Sequence, residues 1–398
     1  MSPLRGGPSQ AILEVLGPLR EAGVKAEIAC TNDNGSGVLD VPLIDLLDWN
    51  GAPVRFFPRL SLSIRPLSDF AFSMPFTRWV WQNVQDYDLL HVHALFSYCS
   101  SAAMFIARQR RVPYICRPSG LLCRWSLTQS AVRKRLFYAL IDRQNLDQAA
   151  ALEFTSEKEQ TESTELGLKL PSFVLPYGLN TPELLPGASA SLRSRLKISD
   201  GDLVILFLSR LHPKKGAHLL LQAMLNRPPG ENVHVVIAGA GDGRYRSKLK
   251  AMIAGTWLQP RVHFQGFVEG DWKQILIQGA DLFVLPSQSE SFGIAVMEAA
   301  AVGTPIVTTR EVPLAPLLER FNLGWTCEPT AKSVAAVMEQ ALTGLGRIRE
   351  DTSRQSAARK LIKQNFDWTI IAARLKEVYS AVLCKSALPS WPIAAIEG

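Results

Sequence analysis

The chain of 398 residues has 47% hydrophobic and 20% charged residues, a composition typical of folded domains that excludes disordered and fibrous proteins. No apolar run reaches the ~18–20 residues that a membrane-spanning helix needs, which excludes an integral membrane protein. The net charge of +7 lies almost entirely after residue 180, where it suits an anionic ligand or an ordinary solvated surface. The length predicts two or three domains, and a start without the apolar core of a signal peptide predicts a cytoplasmic protein.

Apolar, β-branched runs alternate with helical stretches, which predicts an α/β protein with parallel strands. The strands predicted in the first half are residues 25–31, 54–57, 88–94, 114–117, 152–155 and 172–175. The helices predicted there are residues 10–21, 97–109 and 131–146. The glycine loop at 5–9 has no room for a strand before it, so either the true start lies upstream or this domain lacks its first strand.

A turn-rich segment at 179–191 separates the halves, after which the same alternation returns. The strands predicted in the second half are residues 204–209, 233–238, 262–265, 282–286 and 306–308. The helices predicted there are residues 217–225, 245–254, 272–279, 294–302 and 332–342. Two successive α/β layers joined by a turn-rich linker predict two domains.

Three loops that follow strands of the second half carry residues suited to a phosphorylated ligand. Ligands of open parallel sheets bind beyond the carboxyl ends of the strands. Those ends are followed by RLHPKKG at 210–216, GAGDG at 239–243 and SQSESFG at 287–293. We therefore expect a cationic loop, a glycine loop and an acidic helix start to meet at one edge and hold a diphosphate with hydroxyl-bearing sugars.

Each part of this edge has its own chemistry. Arg210 and Lys215 can neutralise phosphate oxygens, and backbone amides at a helix start favour an anion. The carboxylates of Glu290 and Glu298 can accept hydrogen bonds from hydroxyls, and a ribose diol suits one of them. The segment 239–243 does not match G-x-G-x-x-G, because its third glycine falls one position early, which disfavours dinucleotide binding.

Together these strings resemble glycosyltransferase family 4, whose members are retaining, nucleotide-sugar-dependent enzymes of the GT-B fold. The strings of the second half are FLSRLHPKKG, VVIAGAGDG, RVHFQGFV, ADLFVLPSQSESFGIAVMEAAAVGTPIVTT and DWTIIAARLKEVY. Those of the first half are RGGPSQ, YDLLHVH, RPSGLL, LEFTSEKEQTE and VLPYGLN. The most specific sign is Glu290 followed, after seven residues, by Glu298, and the resemblance extends from Arg5 to about Tyr379.

The resemblance implies two Rossmann-like domains facing a cleft, with an acceptor domain at 1–180 and a nucleotide-sugar donor domain at 181–366. A helix and tail at 367–398 would return to the first domain. The implied catalytic residues are Arg210, Lys215 and Glu290, with the two cations on the diphosphate and Glu290 facing the donor sugar. The implied donor-binding residues are Gly6, Gly7, Gly239, Gly241, Phe292, Gly293, Ile294 and Glu298. Among these, Glu298 would hold the ribose, and Gly6 and Gly7 would form the first domain's phosphate loop.

The acceptor contacts are expected in the first domain. His93 lies nearest the carboxyl end of its predicted strand, where it is either an acceptor contact or a packed core residue. The chain reads Arg117-Pro118-Ser119-Gly120 where many members have a T-P-H-G-like string, so a histidine contact expected there is missing. Arg117 and Ser119 of this string are the other predicted acceptor residues.

The sequence predicts no metal site and no cofactor. His91 and His93 share one face of a strand, but no third ligand stands at a recognisable spacing. Asp86-Tyr87-Asp88 spells D-x-D, but it precedes its strand and so lies at the wrong end of the sheet for a ligand. The six cysteines are scattered and are expected to be buried thiols.

Two macromolecular partners can be weighed from composition. Basic residues at 133–135, followed by Leu136, Phe137 and Tyr138, fit either a peripheral contact with an anionic membrane or a solvated helix face. Basic segments interleaved with aromatics are absent, which disfavours nucleic-acid binding.

The expected function is transfer of a sugar from a UDP- or GDP-linked donor to a hydroxyl of a glycan or lipid-linked acceptor in cell-surface polysaccharide biosynthesis. The alternatives are a nucleotide-sugar epimerase of similar fold and a non-catalytic glycan-binding subunit. A phosphorylase would need a lysine-bound cofactor, for which the sequence has no motif. The charged constellation around Lys215 favours an enzyme over a binding subunit.

Overall fold

The computed structural model describes residues 7–35, 37–60, 70–128, 136–229 and 232–391. The chain divides into two compact units, of which the first comprises Met1–Gly178 with Trp368–Pro392 and the second Leu179–Asp367 with Ile393–Gly398. Each unit contains a parallel sheet accompanied by helices, so the predicted α/β fold is confirmed.

The secondary structure alternates along the chain as the sequence predicts. The helices are α1 (Gly7–Glu21), α2 (Met74–Asn83), α3 (Tyr98–Arg110), α4 (Arg124–Thr128), α5 (Arg143–Asp147), α6 (Glu157–Thr164), α7 (Ala188–Leu196), α8 (Ala217–Leu225), α9 (Gly243–Ile253), α10 (Gly270–Gly279), α11 (Ile294–Ala301), α12 (Ala315–Arg320), α13 (Ala331–Glu350), α14 (Thr352–Phe366) and α15 (Trp368–Cys384). The strands are β1 (Ile28–Thr31), β2 (Asp33–Asn34), β3 (Gly37–Val38), β4 (Leu46–Trp49), β5 (Ala52–Phe57), β6 (Leu90–His93), β7 (Tyr114–Arg117), β8 (Ala151–Phe154), β9 (Ser172–Val174), β10 (Leu203–Leu208), β11 (Val233–Ala238), β12 (Val262–Gly266), β13 (Leu282–Leu285), β14 (Ile306–Thr309) and β15 (Gly324–Cys327).

The first unit contains a four-stranded parallel sheet in the order β6-β7-β8-β9 and a three-stranded sheet in the order β1-β5-β4. Every residue of β7 and of β8 is buried, because helices cover both faces of a parallel sheet and leave no polar alternation. The core beside these strands includes Phe57, Met104 and Phe154. Helix α15 packs against α1, and the Trp368 indole nitrogen donates to Glu14 Oε2 at 2.8 Å.

The second unit is built on one parallel sheet in the order β12-β11-β10-β13-β14-β15. The chain starts in the middle with β10, adds strands outward to β12, and then returns to the other side of β10 with β13. The direction of winding therefore reverses between β10 and β13. Loops at the carboxyl ends of these two neighbouring strands diverge, and the crevice between them is where doubly wound sheets bind ligands.

The structure departs from the predicted elements where the local pattern carries little signal. Of the predicted helix at 131–146, residues 131–135 lie outside the described part, and the remainder forms a π-helical turn at Tyr138–Asp142 followed by α5. Helix α6 has the polar sequence EKEQTEST and no apolar stripe, so its Ser156 N-cap is the main signal for it. Helix α7 begins at Ala188, within the segment predicted to be a turn-rich linker.

Glycine lets the loops at the carboxyl edge of the second unit approach one another. Gly216 has a φ of +78°, and a Cβ there would overlap the carbonyl oxygen of Pro286. Gly239 has a φ of +141°, and a Cβ there would overlap the carbonyl oxygen of Ser209. The close approach of these loops therefore depends on the missing side chains.

We predict that Gly216→Ala destabilises the protein more than Gly255→Ala. Gly255 has a comparable φ of +71°, but a Cβ there would meet no atom within 4 Å. The Gly255→Ala variant therefore loses only the free energy of placing alanine in left-handed backbone, about 1 kcal/mol. At Gly216 the new methyl group must also displace the loop after β13, which adds about 2 kcal/mol. Urea unfolding followed by circular dichroism measures both losses. Equal losses in the two variants would show that the loops are not tightly apposed.

Candidate functional site

The loops predicted to meet at one edge of the second unit are held together by backbone hydrogen bonds. Gln288 N donates to Lys214 O at 2.8 Å, which joins the loop after β13 to the loop after β10. Leu211 N donates to Ala240 O at 2.7 Å, which joins the loop after β10 to the loop after β11. The cationic, glycine and acidic segments therefore form one continuous edge.

Lys215 and Glu290 form a buried ion pair at this edge. The Lys215 ammonium lies 2.5 Å from Glu290 Oε1 and also contacts Oε2, and the side chains are 11% and 9% exposed. A short 3-10 turn at Pro213–Lys215 directs the lysine, and His212 caps it by accepting from Lys214 N at 3.2 Å. Two predicted catalytic residues, 75 positions apart in sequence, are thus brought into direct contact.

Arg210 is exposed, and its charge acts on His212 together with the charges of Lys214 and Lys215. Burial lowers the pKa of His212 below its usual range, and the charges of Arg210, Lys214 and Lys215 lower it further. The three cationic side chains of this loop together favour an anion near it.

Helix α11 begins at the acidic loop and provides backbone donors there. Its N-cap, Gly293, has a φ of +101° in left-handed backbone, and a Cβ there would press on Val312. The Phe292 ring is buried and lies 6.0 Å from the Phe366 ring, so only its backbone can face a ligand. Ile294 is the first residue of the helix, where amide groups lack partners within the helix.

Glu298 has a partner that the sequence reasoning missed. Its Oε1 lies 2.5 Å from the ammonium of Lys273, a residue of α10, and Glu298 is buried while Lys273 is partly exposed. The available signal was a lysine in the first turn of a helix, where the helix dipole disfavours a cation. That signal indicates only that the lysine needs a compensating partner; it does not identify Glu298 as that partner.

Gly239 and Gly241 serve chain packing. A Cβ on either would overlap a backbone oxygen of the loop after β10, at Ser209 and at Leu211 respectively. They allow the cationic loop to lie against the glycine loop, and their predicted role as donor-binding residues stays a prediction.

In the first unit, His93 ends β6 at the carboxyl edge of the sheet, and its ring stacks on that of His91 with centroids 4.3 Å apart. Burial lowers the pKa of His93 well below its usual value, and the charges of His91 and Arg117 lower it further. The neutral imidazole can accept a hydrogen bond from a hydroxyl, as an acceptor contact requires.

Arg117, one of the predicted acceptor residues, belongs to a buried network in the first unit. Its Nη1 lies 2.8 Å from Glu153 Oε1, and its guanidinium stacks on the Tyr177 ring at 4.1 Å. Glu153 also contacts His91 Nε2 at 2.9 Å, and the other nitrogen of His91 lies 2.9 Å from the Tyr379 hydroxyl. Burial raises the pKa of Glu153, but Arg117 and His91 outweigh it and lower the pKa below the usual value. Arg117 therefore neutralises a buried carboxylate and helps fasten α15 to the sheet.

The remaining predicted residues of the first unit are Ser119, Gly7 and Gly6. Ser119 is partly buried with a φ of +56°, and its hydroxyl lies 3.4 Å from the carbonyl oxygen of Arg117. Gly7 is the first residue of α1, and Gly6 lies outside the described residues.

Within the described residues, no group of three or more histidine, cysteine, aspartate or glutamate side chains is placed to hold a metal ion. The helices described there also include none that combines the length and apolar character needed to cross a membrane. The basic residues at 133–135, for which the sequence allowed either a membrane contact or a solvated helix face, lie outside the described residues.

Family models match both halves of the chain. Residues 189–365 match the model described as glycosyl transferases group 1, and residues 6–178 match the glycosyl transferase 4-like domain. The similarity covers both the six-stranded sheet with its charged edge and the unit that carries His93.

Curated relatives are similar over part of their length. An uncharacterized glycosyltransferase of Methanocaldococcus jannaschii is 31% identical over 194 residues, 48% of each chain. The D-inositol 3-phosphate glycosyltransferase of an Arthrobacter species is 30% identical over 213 residues, 53% of this chain and 50% of that protein. The chain thus spans about half the length of the curated relatives that it matches.

A solved structure shares the fold over nearly the whole chain. The crystal structure of Anabaena HepE in complex with UDP-glucose has a TM-score of 0.74 and 21% identity, covering 94% of this chain and 96% of that one. The GT-B fold implied by the resemblance is confirmed.

We predict that His93 makes the protein less stable in mild acid. Because its pKa is lowered on folding, the unfolded chain binds a proton that the folded chain rejects, and stability falls as the pH drops below the usual histidine value. From about pH 7.5 to about pH 5.5, wild type should lose about 1 kcal/mol more unfolding free energy than His93→Gln. Urea titrations across this range give the difference, in which histidines common to both proteins cancel. Parallel curves would contradict a buried, neutral His93.

Proposed function

The chain belongs to the glycosyltransferase group 1 family, and we propose that it transfers a sugar from a UDP- or GDP-linked donor to a hydroxyl group with retention of anomeric configuration. The acceptor that we propose is a glycan or lipid-linked glycan of cell-surface polysaccharide biosynthesis, elongated in the cytoplasm. The observation that carries the proposal is the buried Lys215–Glu290 pair at the carboxyl edge of the second unit.

The donor would lie along that edge. The Lys215 ammonium and the Arg210 guanidinium neutralise the diphosphate, and the first amides of α11 donate to its oxygens. Glu290 contacts the Lys215 ammonium through both carboxylate oxygens and accepts hydrogen bonds from the donor sugar when the diphosphate takes up part of the ammonium. Glu298 accepts from the ribose hydroxyls.

The chemistry requires stabilisation of charge on the leaving group. As the bond between the anomeric carbon and the diphosphate oxygen breaks, negative charge grows on the diphosphate, where preorganised cations and amides meet it. The departing phosphate then takes the proton of the acceptor hydroxyl on the same face of the sugar, and the new glycosidic bond forms on that face. An inverting reaction would instead need a general base on the face of the sugar opposite the leaving group. We assign that role to none of the described residues at this edge, and the proposal is therefore retention.

The first unit would supply the acceptor contacts. His93 lies at the carboxyl end of β6 with a neutral imidazole that accepts from a hydroxyl, and Ser119 follows β7 at the same end. We assign Arg117 no acceptor role, because its guanidinium is engaged with Glu153.

A peripheral contact with a membrane is supported by an exposed apolar cluster. Leu136, Leu140 and Ile141 are 60%, 69% and 40% exposed, and they directly follow the basic residues at 133–135. Apolar side chains next to cations suit the interface of an anionic bilayer. Such a contact would bring a lipid-linked acceptor to the enzyme.

The proposal predicts product formation with a defined configuration. Purified protein is incubated with a panel of UDP- and GDP-linked sugars, each with free oligosaccharide or lipid-linked glycan acceptors, and Glu290→Gln serves as the control for contaminating activity. We expect transfer from at least one α-linked donor to give an α product by proton NMR, and the control to give none. A β product would contradict retention. Isomerised nucleotide sugar without acceptor would instead indicate an epimerase.

A further inference from the structure

The pair formed by Lys273 and Glu298 lies outside the residues that the motif identifies. Lys273 is in the first turn of α10, and Glu298 is in the second turn of α11, 25 positions later in sequence. Their ammonium and carboxylate are 2.5 Å apart, with side-chain exposures of 28% and 9%. A partly solvated cation thus holds one oxygen of a buried carboxylate.

The position of Lys273 is not explained by the stability of its helix. The first turn of an α-helix carries partial positive charge from unpaired amides, so a lysine there is disfavoured and an acidic residue such as Asp271 is favoured. Lysine at this point therefore has a compensating interaction, and the Glu298 carboxylate supplies it.

The arrangement repeats the pairing found at the reacting centre. Glu290 is held by Lys215, and Glu298 is held by Lys273, so each carboxylate of the motif has its own ammonium partner. A carboxylate has two oxygens that together accept about four hydrogen bonds. One ammonium bound at Oε1 fixes the plane of the group without exhausting its acceptors.

We propose that Lys273 is a positioning residue for nucleotide recognition, which orients the Glu298 carboxylate toward the ribose hydroxyls of the donor. This inference rests on the proposed function, because it takes Glu298 as the ribose contact. Lys273 acts through Glu298 and does not itself touch the phosphates. Its loss should therefore reduce discrimination at the ribose and leave pyrophosphate binding unchanged.

The test compares ribose and deoxyribose ligands. Dissociation constants are measured by calorimetry for UDP, GDP, their 2′-deoxy forms and inorganic pyrophosphate, using wild type, Lys273→Gln, Lys273→Arg and Glu298→Gln. Lys248→Gln makes the same change at an exposed position of α9 and is the matched control. Circular dichroism verifies that each variant is folded.

We expect wild type, Lys273→Arg and the control to bind the ribonucleotide at least about tenfold more tightly than its deoxy form, the usual effect of one charged hydrogen bond. Lys273→Gln should reduce this preference to about twofold, with unchanged pyrophosphate affinity. If Lys273→Gln keeps the preference for the ribonucleotide while Glu298→Gln loses it, the inference about Lys273 is wrong and the proposed function stands. A preference retained in Glu298→Gln shows that the ribose role in the proposed function is wrong, and the inference fails with it.

A second comparison remains informative if Lys273→Gln does not fold. The double variant Lys273→Met with Glu298→Gln leaves no unpaired buried charge, which removes the main cause of misfolding. If Lys273 acts only through Glu298, the double variant and Glu298→Gln bind UDP and GDP equally. A further loss of about fivefold or more in the double variant would overturn the inference, because it would mean that Lys273 contacts the nucleotide independently.

Discussion

The contact between Lys215 and Glu290 is the interaction on which the site depends. Removing an ammonium and a carboxylate from water costs several kcal/mol for each ion, and only close pairing with good geometry offsets this. The pair therefore requires that the loops after β10 and β13 be held at a fixed separation. The hydrogen bond from Gln288 N to Lys214 O and the missing side chain of Gly216 provide that constraint.

The same principle governs charges elsewhere in the molecule. Glu298 is paired with Lys273 in the second unit, and Glu153 is paired with Arg117 and His91 in the first. The charged pairs of the two units differ in how far they are exposed to solvent. The pairs of the second unit lie near the carboxyl edge of its sheet and are partly exposed, whereas Glu153 is fully buried and its network also includes Tyr379 of α15. Similar charged pairs therefore occur both at the loop edge of a sheet, where we propose that they bind the donor, and inside a unit, where they neutralise a buried carboxylate.

Local patterns in the sequence predicted five of the six strands in the sheet of the second unit, together with its charged edge, but they missed β15. Strands such as Leu203–Leu208 are continuous apolar runs, and the parallel arrangement brings the ends of β10, β11 and β13 together. Contacts between distant side chains were not available from such patterns. The partner of Glu298 lies on another helix, and Glu153 appears in the sequence only as one acidic residue within an apolar strand. Short strands such as β4, whose residues alternate between exposed and partly buried, also carry too little apolar signal.

The central claim is that the paired Lys215 ammonium binds the diphosphate of the nucleotide. The most direct measurement is calorimetric titration with UDP, GDP, uridine and guanosine of a neutral-pair variant, Lys215→Met with Glu290→Gln, beside Lys214→Met as the neighbouring control. The neutral pair avoids an unpaired buried charge and so preserves the fold. The account predicts that the variant binds the diphosphate about 10- to 100-fold more weakly than wild type, with unchanged affinity for the nucleoside. Diphosphate affinity equal to that of wild type would contradict the account.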